Sequence, residues 1–118
     1  MFGLTTATRV FAATAPIDMR KGFDGLFGLV RDLLGEDPLS GHLFLFTNRQ
    51  RTRLKVLVFD GSGLWVCAKR LEKGRFAWPQ PQQGQPRATL RPGELTLLLD
   101  GIDLYQTRPR RWFRGIAV

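Results

Sequence analysis

The sequence is poor in the residues from which small proteins build cross-links and metal sites. Among 118 residues there is one cysteine, Cys67, and one histidine, His42. A single cysteine cannot close an internal disulfide, and one of each residue excludes an ordinary Cys/His metal site within the chain. No stretch approaches the ~18 uninterrupted apolar residues of a membrane-spanning helix, and the first 15 residues lack the pattern of a signal peptide. We therefore expect no metal, no cofactor, no membrane segment and a cytoplasmic location.

Acidic residues are also scarce, and their shortage is local. The chain has 18 Lys and Arg against 10 Asp and Glu, a net charge of +8. Residues 49–75 hold eight basic and two acidic residues, for +6, and residues 108–118 hold four arginines and no acid, for +4. The rest of the chain is slightly acidic. A concentrated basic excess favours a polyanionic partner, nucleic acid before membrane.

The apolar residues predict one α+β domain over residues 1–105. A β-prone segment at 8–14 is followed by Pro16 and by Asp18, a candidate helix cap. An amphipathic period then predicts a main helix over 19–34, with Gly35 in a left-handed conformation at its end. A second, short helix follows Pro92 and ends at Gly101. The apolar positions of the main helix are Met19, Phe23, Leu26, Phe27, Val30, Leu33 and Leu34.

Between the helices, four apolar segments separated by short turns predict an antiparallel β-meander of residues 43–78. The segments are 43–47, 54–59, 64–71 and 75–78, and tight turns join antiparallel rather than parallel strands. Counting the segment at 8–14, we expect four to five strands packed against the main helix. Residues 79–87 are rich in proline and glutamine and predict an exposed loop. Residues 106–118 predict a basic C-terminal tail.

The concentrated cations are the candidate nucleic-acid contacts. Strand alternation places Lys55 on one face with Leu57, and Lys69 on a face with Trp65 and Cys67. Basic side chains near aromatic ones are typical of surfaces that bind phosphates and stack bases. The same cations would also suit solvated strand ends or an acidic protein partner. The candidate cations are Arg49, Arg51, Arg53, Lys55, Lys69, Arg70, Lys73, Arg75, Arg108, Arg110, Arg111 and Arg114. The candidate stacking residues are Trp65, Trp78 and Trp112, and the alternative is that Trp65 and Trp78 simply support the sheet and that Trp112 packs on the domain.

The sequence contains no pattern typical of an active site. Ser62 and Cys67 have no evident base partner, and Asp60-Gly61-Ser62-Gly63 lacks the further residues of a calcium loop or a P-loop. Single acids such as Asp24 and Asp103 have simpler roles in caps and turns than in a metal site. We therefore expect a protein that is not an enzyme.

Six ordered strings carry a resemblance to a known family. The chain resembles the TnpB-type accessory protein, the product of the second reading frame, of bacterial insertion sequences of family sixty-six. The likeness runs from about residue 8 to residue 112. The strings are DMRKGFDGL at 18–26, GHLFLF at 41–46, RLKVL at 53–57, DGSGLW at 60–65, KRLEKGRFAWP at 69–79 and LLDGID at 98–103.

The resemblance implies a small protein that supports transposition beside a separate transposase and does not cut DNA itself. Combined with the charge pattern, it leads to the hypothesis of a DNA-binding accessory factor. The alternative is a protein-interaction module that docks on the transposase without touching DNA. DNA and the transposase are thus the expected partners.

Overall fold

The structure, a computed structural model, describes residues 5–81 and 83–101 and consists of one five-stranded sheet with a helix on each face. In chain order the elements are β1 (Val10–Ala13), α1 (Phe23–Asp32), β2 (Leu43–Thr47), β3 (Arg53–Phe59), β4 (Leu64–Arg70), β5 (Arg87–Leu90) and α2 (Pro92–Asp100). The strand order across the sheet is β4-β3-β2-β1-β5. The α+β class is confirmed. No helix among the described residues is long and apolar enough to cross a membrane.

The sheet is mixed, which corrects the prediction of an antiparallel meander. Strands β2, β3 and β4 are antiparallel neighbours, as predicted, and β5 is antiparallel to β1. However, β1 runs parallel to β2, with Val10 opposite Leu43. A parallel pair needs a crossover of a dozen or more residues, and the segment containing α1 supplies it.

The prediction of a fourth meander strand at 75–78 is also wrong. Those residues cross the sheet face as an irregular segment in which Phe76 and Trp78 are buried. The fifth strand is instead β5, which the sequence placed partly in the Pro/Gln-rich loop and partly before the second helix. The backbone N–H of Thr14 donates to the carbonyl oxygen of Pro86 (3.0 Å), so the end of that loop is joined to the sheet.

Helix α1 is shorter than its apolar period predicts. It starts at Phe23, and Gly22 precedes it with no side-chain cap. Asp18 is therefore not the cap and instead binds Arg20 (Oδ2 to Nη2, 2.7 Å). At the other end Gly35 has a φ of +67°, and the N–H of Glu36 donates to the carbonyl oxygen of Val30 (3.0 Å). That left-handed glycine closes the helix as predicted.

Two apolar cores lie on opposite faces of the sheet because strand side chains alternate. One core packs under α1 and the other under α2 and the 75–78 segment, and we call these the α1 face and the α2 face. The buried residues of the α1 face are Phe11, Ala13, Leu26, Val30, Leu34, Phe44, Phe46 and Leu57. Those of the α2 face are Val10, Ala12, Leu43, Leu45, Leu54, Val56, Val58, Leu71, Phe76, Trp78, Leu90, Leu95 and Leu98.

Candidate nucleic-acid interface

The turn between β2 and β3 is held in place by Asn48. Its side-chain Oδ1 accepts hydrogen bonds from the backbone N–H of Thr52 (2.9 Å) and of Arg53 (3.1 Å). Arg51 has a φ of +60°, and its carbonyl oxygen accepts from the N–H of Phe76 (2.7 Å). These bonds fix the backbone of the turn. Arg51 and Arg53 line different grooves and Arg49 is exposed on the turn, so the three arginines do not form one cluster.

A basic groove opens on the α1 face, where β3 begins and β4 ends. Arg53 lies directly opposite Arg70 in the β3–β4 register, and Lys55 lies opposite Ala68. Arg53, Lys55 and Arg70 therefore project from the same face of the sheet. We call this site the basic groove. It has a volume of about 410 Å³ and is lined by Met19, Arg53, Leu54, Lys55, Ala68, Lys69, Arg70 and Glu72.

The cations of the basic groove are only partly compensated. The Nε atom of Arg70 lies 3.2 Å from Oε2 of Glu72, and both side chains are mostly exposed, so water and salt screen this pair. The ammonium of Lys55 donates to the main-chain carbonyl oxygen of Lys21 (2.7 Å), which orients it without neutralising it. Arg53 forms no ion pair with any described residue. Like charges directly opposite in a sheet are destabilising, so an anion that bound between Arg53 and Arg70 would relieve their repulsion.

Lys69 borders this groove, but its ammonium lies on the other face. Its Nζ donates to the carbonyl oxygen of Leu99 near the end of α2 (2.7 Å). A cation at a helix C-terminus is favourable, since the carbonyl ends there carry partial negative charge. Lys69 therefore supports the docking of α2, and the structure separates it from Arg53 and Arg70.

Two further predicted cations, Arg51 and Arg75, lie on the α2 face. They lie at a second groove of about 450 Å³, which we call the α2 groove. Its wall includes Leu97, an exposed large apolar side chain of α2. Arg49 is exposed on the β2–β3 turn, and Lys73 lies in the turn before Arg75. The predicted central set of eight cations is thus divided between two faces and two turns.

The two described candidate stacking residues differ in their environment. Trp78 is 5% exposed, and its Nε1 donates to the carbonyl oxygen of Ala13 (2.7 Å). Its ring belongs to the core, so of the two roles considered for Trp78, stacking on bases or supporting the sheet, its position favours the second. Trp65 is 53% exposed on β4, and its Nε1 donates to Oδ2 of Asp60 (2.7 Å). Trp65 therefore presents a ring to solvent in a fixed orientation.

Asp60 also organises the β3–β4 turn. The backbone N–H of Ser62, the indole of Trp65 and the backbone N–H of Gly63 donate to its carboxylate at 2.9, 2.7 and 2.9 Å. These donors, Ser62 first, hold the pKa of Asp60 well below its ordinary value. The residue is therefore a turn and positioning group, as its sequence context predicts. Within residues 5–81 and 83–101, no three Asp, Glu, His or Cys side chains form a group that could hold a metal ion.

The predicted basic tail lies outside the described residues, together with Arg108, Arg110, Arg111, Arg114 and Trp112. Among the described residues, two contributors to the basic groove were not predicted from the sequence. Met19 lines it, although its spacing assigned it to the buried face of the helix. The carbonyl oxygen of Lys21 holds Lys55 because the helix has not yet begun at that residue. Gly22 was the signal of a late helix start.

Comparison of the chain with known proteins identifies its family. Residues 8–109 match the family model of the IS66 Orf2 like protein, TnpB_IS66. The chain belongs to that family. Its relatives include two uncharacterized proteins of Sinorhizobium fredii (strain NBRC 101917 / NGR234). The protein y4hO is 43% identical over 95 residues, 80% of this chain and 81% of the relative, and y4jC is 37% identical over 103 residues, 87% and 86% respectively. No solved structure matches the chain.

Membership confirms the resemblance drawn from the six strings. It assigns the protein a transposition-associated, accessory role within an insertion sequence. The positions of its cations bear on which molecule it contacts in that role.

Proposed function

We propose that this protein binds DNA without sequence specificity, through phosphates held in the basic groove. The observation that carries the proposal is the cross-strand pair of Arg53 and Arg70, with Lys55 two residues further along β3. Arginine donates hydrogen bonds in a fork that matches a phosphate, and three cations on one face can follow a backbone. No Asn or Gln lines the groove, and contacts from arginine and lysine to phosphates carry no sequence information, so the proposed binding is electrostatic.

The test is the salt dependence of duplex binding in a charge-matched pair of variants. R53Q/R70Q removes two cations from the groove. R9Q/R31Q removes two exposed cations elsewhere, one before β1 and one in the last turn of α1. Each phosphate contact contributes about −0.9 to the slope of log K against log salt, so the groove variant should flatten the slope by about 1.8. The control variant should change it little.

Equal slopes in the two variants would contradict the proposal, because they would mean that the slope depends only on net charge and not on the groove. Circular dichroism and thermal unfolding of both variants provide the folding control. Surface substitutions of this kind usually change stability by no more than about 0.5 kcal/mol, and removing the repulsion between Arg53 and Arg70 acts in the stabilising direction.

A second candidate function, docking on the transposase, is favoured by the α2 groove. There Arg51 and Arg75 flank a surface to which Leu97 contributes an exposed apolar side chain. Arginine beside apolar area is typical of protein interfaces. The triple variant R51Q/R75Q/L97S should then lose affinity for purified transposase while keeping the DNA salt slope. If R53Q/R70Q kept the DNA slope and lost the transposase instead, docking would replace DNA binding as the role of the basic groove.

A further inference from the structure

The two edges of the sheet differ in length and in protection. One edge is β5, four residues long and preceded by Pro86, while the other is β4, seven residues long. Natural sheets protect their edges with short strands, prolines, bulges or charged side chains, because an unpaired edge binds other strands. Strand β4 has charged side chains only at its last two residues, Lys69 and Arg70. Strand β4 contains no proline and pairs with β3 without a bulge from Leu64 to Arg70. Among residues 5–81 and 83–101, no strand covers its outer side.

The hydrogen-bond pattern shows which groups of β4 point outward. In the register of the β3–β4 pair, Gly63 lies opposite Asp60 and Leu71 opposite Thr52, and both pairs are hydrogen-bonded, at 3.0 and 2.9 Å. Bonded and non-bonded pairs alternate in an antiparallel ladder. The intervening residues 65, 67 and 69 therefore bond to β3. The N–H and C=O groups that point away from the sheet are those of Leu64, Val66, Ala68 and Arg70.

We propose that β4 pairs antiparallel with β4 of a second copy of this chain, about a two-fold axis at Cys67. In this register Leu64 lies opposite the second copy's Arg70, and Val66 opposite its Ala68. All four outward residues then meet outward residues, which gives about eight hydrogen bonds. Registers centred on other residues leave part of the seven-residue strand unpaired. A two-fold contact of this kind uses the same surface on both copies and closes at a dimer.

The side chains of β4 are complementary to themselves in this register. Trp65 faces the second copy's Lys69, so an exposed indole packs against the aliphatic stem of that lysine while the ammonium stays on the carbonyl oxygen of Leu99. The Val66–Ala68 pair is apolar, and no two like charges lie directly opposite. The two copies of Arg70 are six residues apart along the strand, roughly 20 Å, which exceeds the Debye length at physiological salt. Salt therefore screens the repulsion between the two copies of Arg70.

The geometry also determines how the two copies face DNA. Because the two-fold axis is perpendicular to the extended sheet, both basic grooves open on the same side. The inference does not depend on the proposed DNA function, since pairing is measured without DNA. Pairing of two copies would nonetheless double the cationic surface that a single complex presents to a duplex.

The first test is the mass in solution of the reduced full chain over a concentration series, by sedimentation equilibrium. We expect a species of twice the 13.4 kDa chain mass. A68P removes an outward donor and leaves the bonds to β3 intact, since proline is tolerated on the outer side of an edge strand. This variant should sediment as a single chain. T89P is the matched control, because Thr89 points outward on β5: Pro86 is bonded to Thr14, and bonded pairs alternate. T89P should remain dimeric.

The second test uses the wild-type backbone and holds even if A68P fails to fold. Cys67 is the only cysteine, and the proposed axis makes it a non-hydrogen-bonded pair with Cα atoms about 4.5 Å apart, within disulfide range. A mild oxidant should join the chains at least about tenfold faster through Cys67 than through the displaced cysteine of C67S/T89C. A monomer at every concentration, a folded A68P that dimerises normally, or equal cross-linking rates would each overturn the proposal.

Discussion

Leu26 and Leu33 occupy equivalent places in the apolar period of the main helix, yet only one of them is in the core. Leu26 is fully buried under the sheet, whereas Leu33 is 44% exposed. Helix α1 ends at Asp32, so Leu33 is its cap residue and departs from the buried face. Phe23, the first residue of the helix, is exposed for a similar reason. The expectation that Phe23 and Leu33 belong to the core is therefore wrong, and the buried face consists of Leu26, Val30 and Leu34.

This difference leads to a prediction about two leucine substitutions. Leu26→Ala should lower the free energy of unfolding by about 2–5 kcal/mol, because it leaves a cavity in a closely packed core. Leu33→Ala should lower it by only about 1 kcal/mol, because nearly half of that side chain remains exposed. Urea unfolding followed by circular dichroism measures both variants. Equal losses in the two would contradict the assignment of the buried face.

The carboxylate of Asp60 makes the stability of the folded protein depend on pH in the acid range. Its pKa is lowered from 3.8 in the folded protein, so the stability that it contributes is fully present above that value. The contribution is lost as the pH falls below 3.8 toward the folded pKa. D60N should therefore be less stable than the wild type near neutral pH, and the difference should shrink on acidification. Unfolding midpoints measured at a series of pH values test this; a constant difference would contradict the role of Asp60.

At the scale of elements, the strand pairs decide which cations act together. The central set looks continuous along the chain, but a turn with a left-handed Arg51 and the alternation of β3 and β4 divide it. Arg53 and Arg70, 17 positions apart, become neighbours in the register. Lys69, adjacent to Arg70 in sequence, points to the opposite face and binds α2. A substitution series that follows sequence order would mix cations of the β2–β3 turn, of the α1 face and of the α2 face.

The parallel pair of β1 and β2 shows where sequence reasoning chose wrongly between two topologies. Short turns identified the antiparallel β2–β3–β4 unit correctly. The long connection between β1 and β2, which contains a helix, was compatible with either direction, and hydrophobic pattern alone does not encode it. Strand β5 was missed because its four residues, Arg-Ala-Thr-Leu, have little apolar content. They become a strand by bonding to β1.

At the scale of the whole molecule, the chain has two separate concentrations of positive charge. One lies in the folded sheet, and the other comprises the four arginines after Thr107. If both contact phosphates at separate places, their effects on binding are independent. The sequence alone supports this expectation for the tail.

Truncation after Thr107 tests that independence. Removing the four arginines should flatten the DNA salt slope by up to about 3.6, and combining the truncation with R53Q/R70Q should add the two changes. Fluorescence anisotropy with a labelled duplex, over a salt series, gives the slopes of the four proteins. A double change no larger than either single change would mean that the two sites contact the same phosphates. The unfolding midpoint of the truncated chain serves as the control for folding.

The sequence by itself determined the family, the α+β class, the three-stranded antiparallel unit, the second helix and the location of the basic excess. These follow from local patterns: ordered strings, apolar periods, turn residues and counts of charge. The tertiary structure decided the parallel β1–β2 pair, the strand β5, the burial of Trp78 and the separation of Lys69 from Arg70. Each of these depends on which distant segments pair across the sheet, and backbone hydrogen bonds between strands carry no signature in either strand alone.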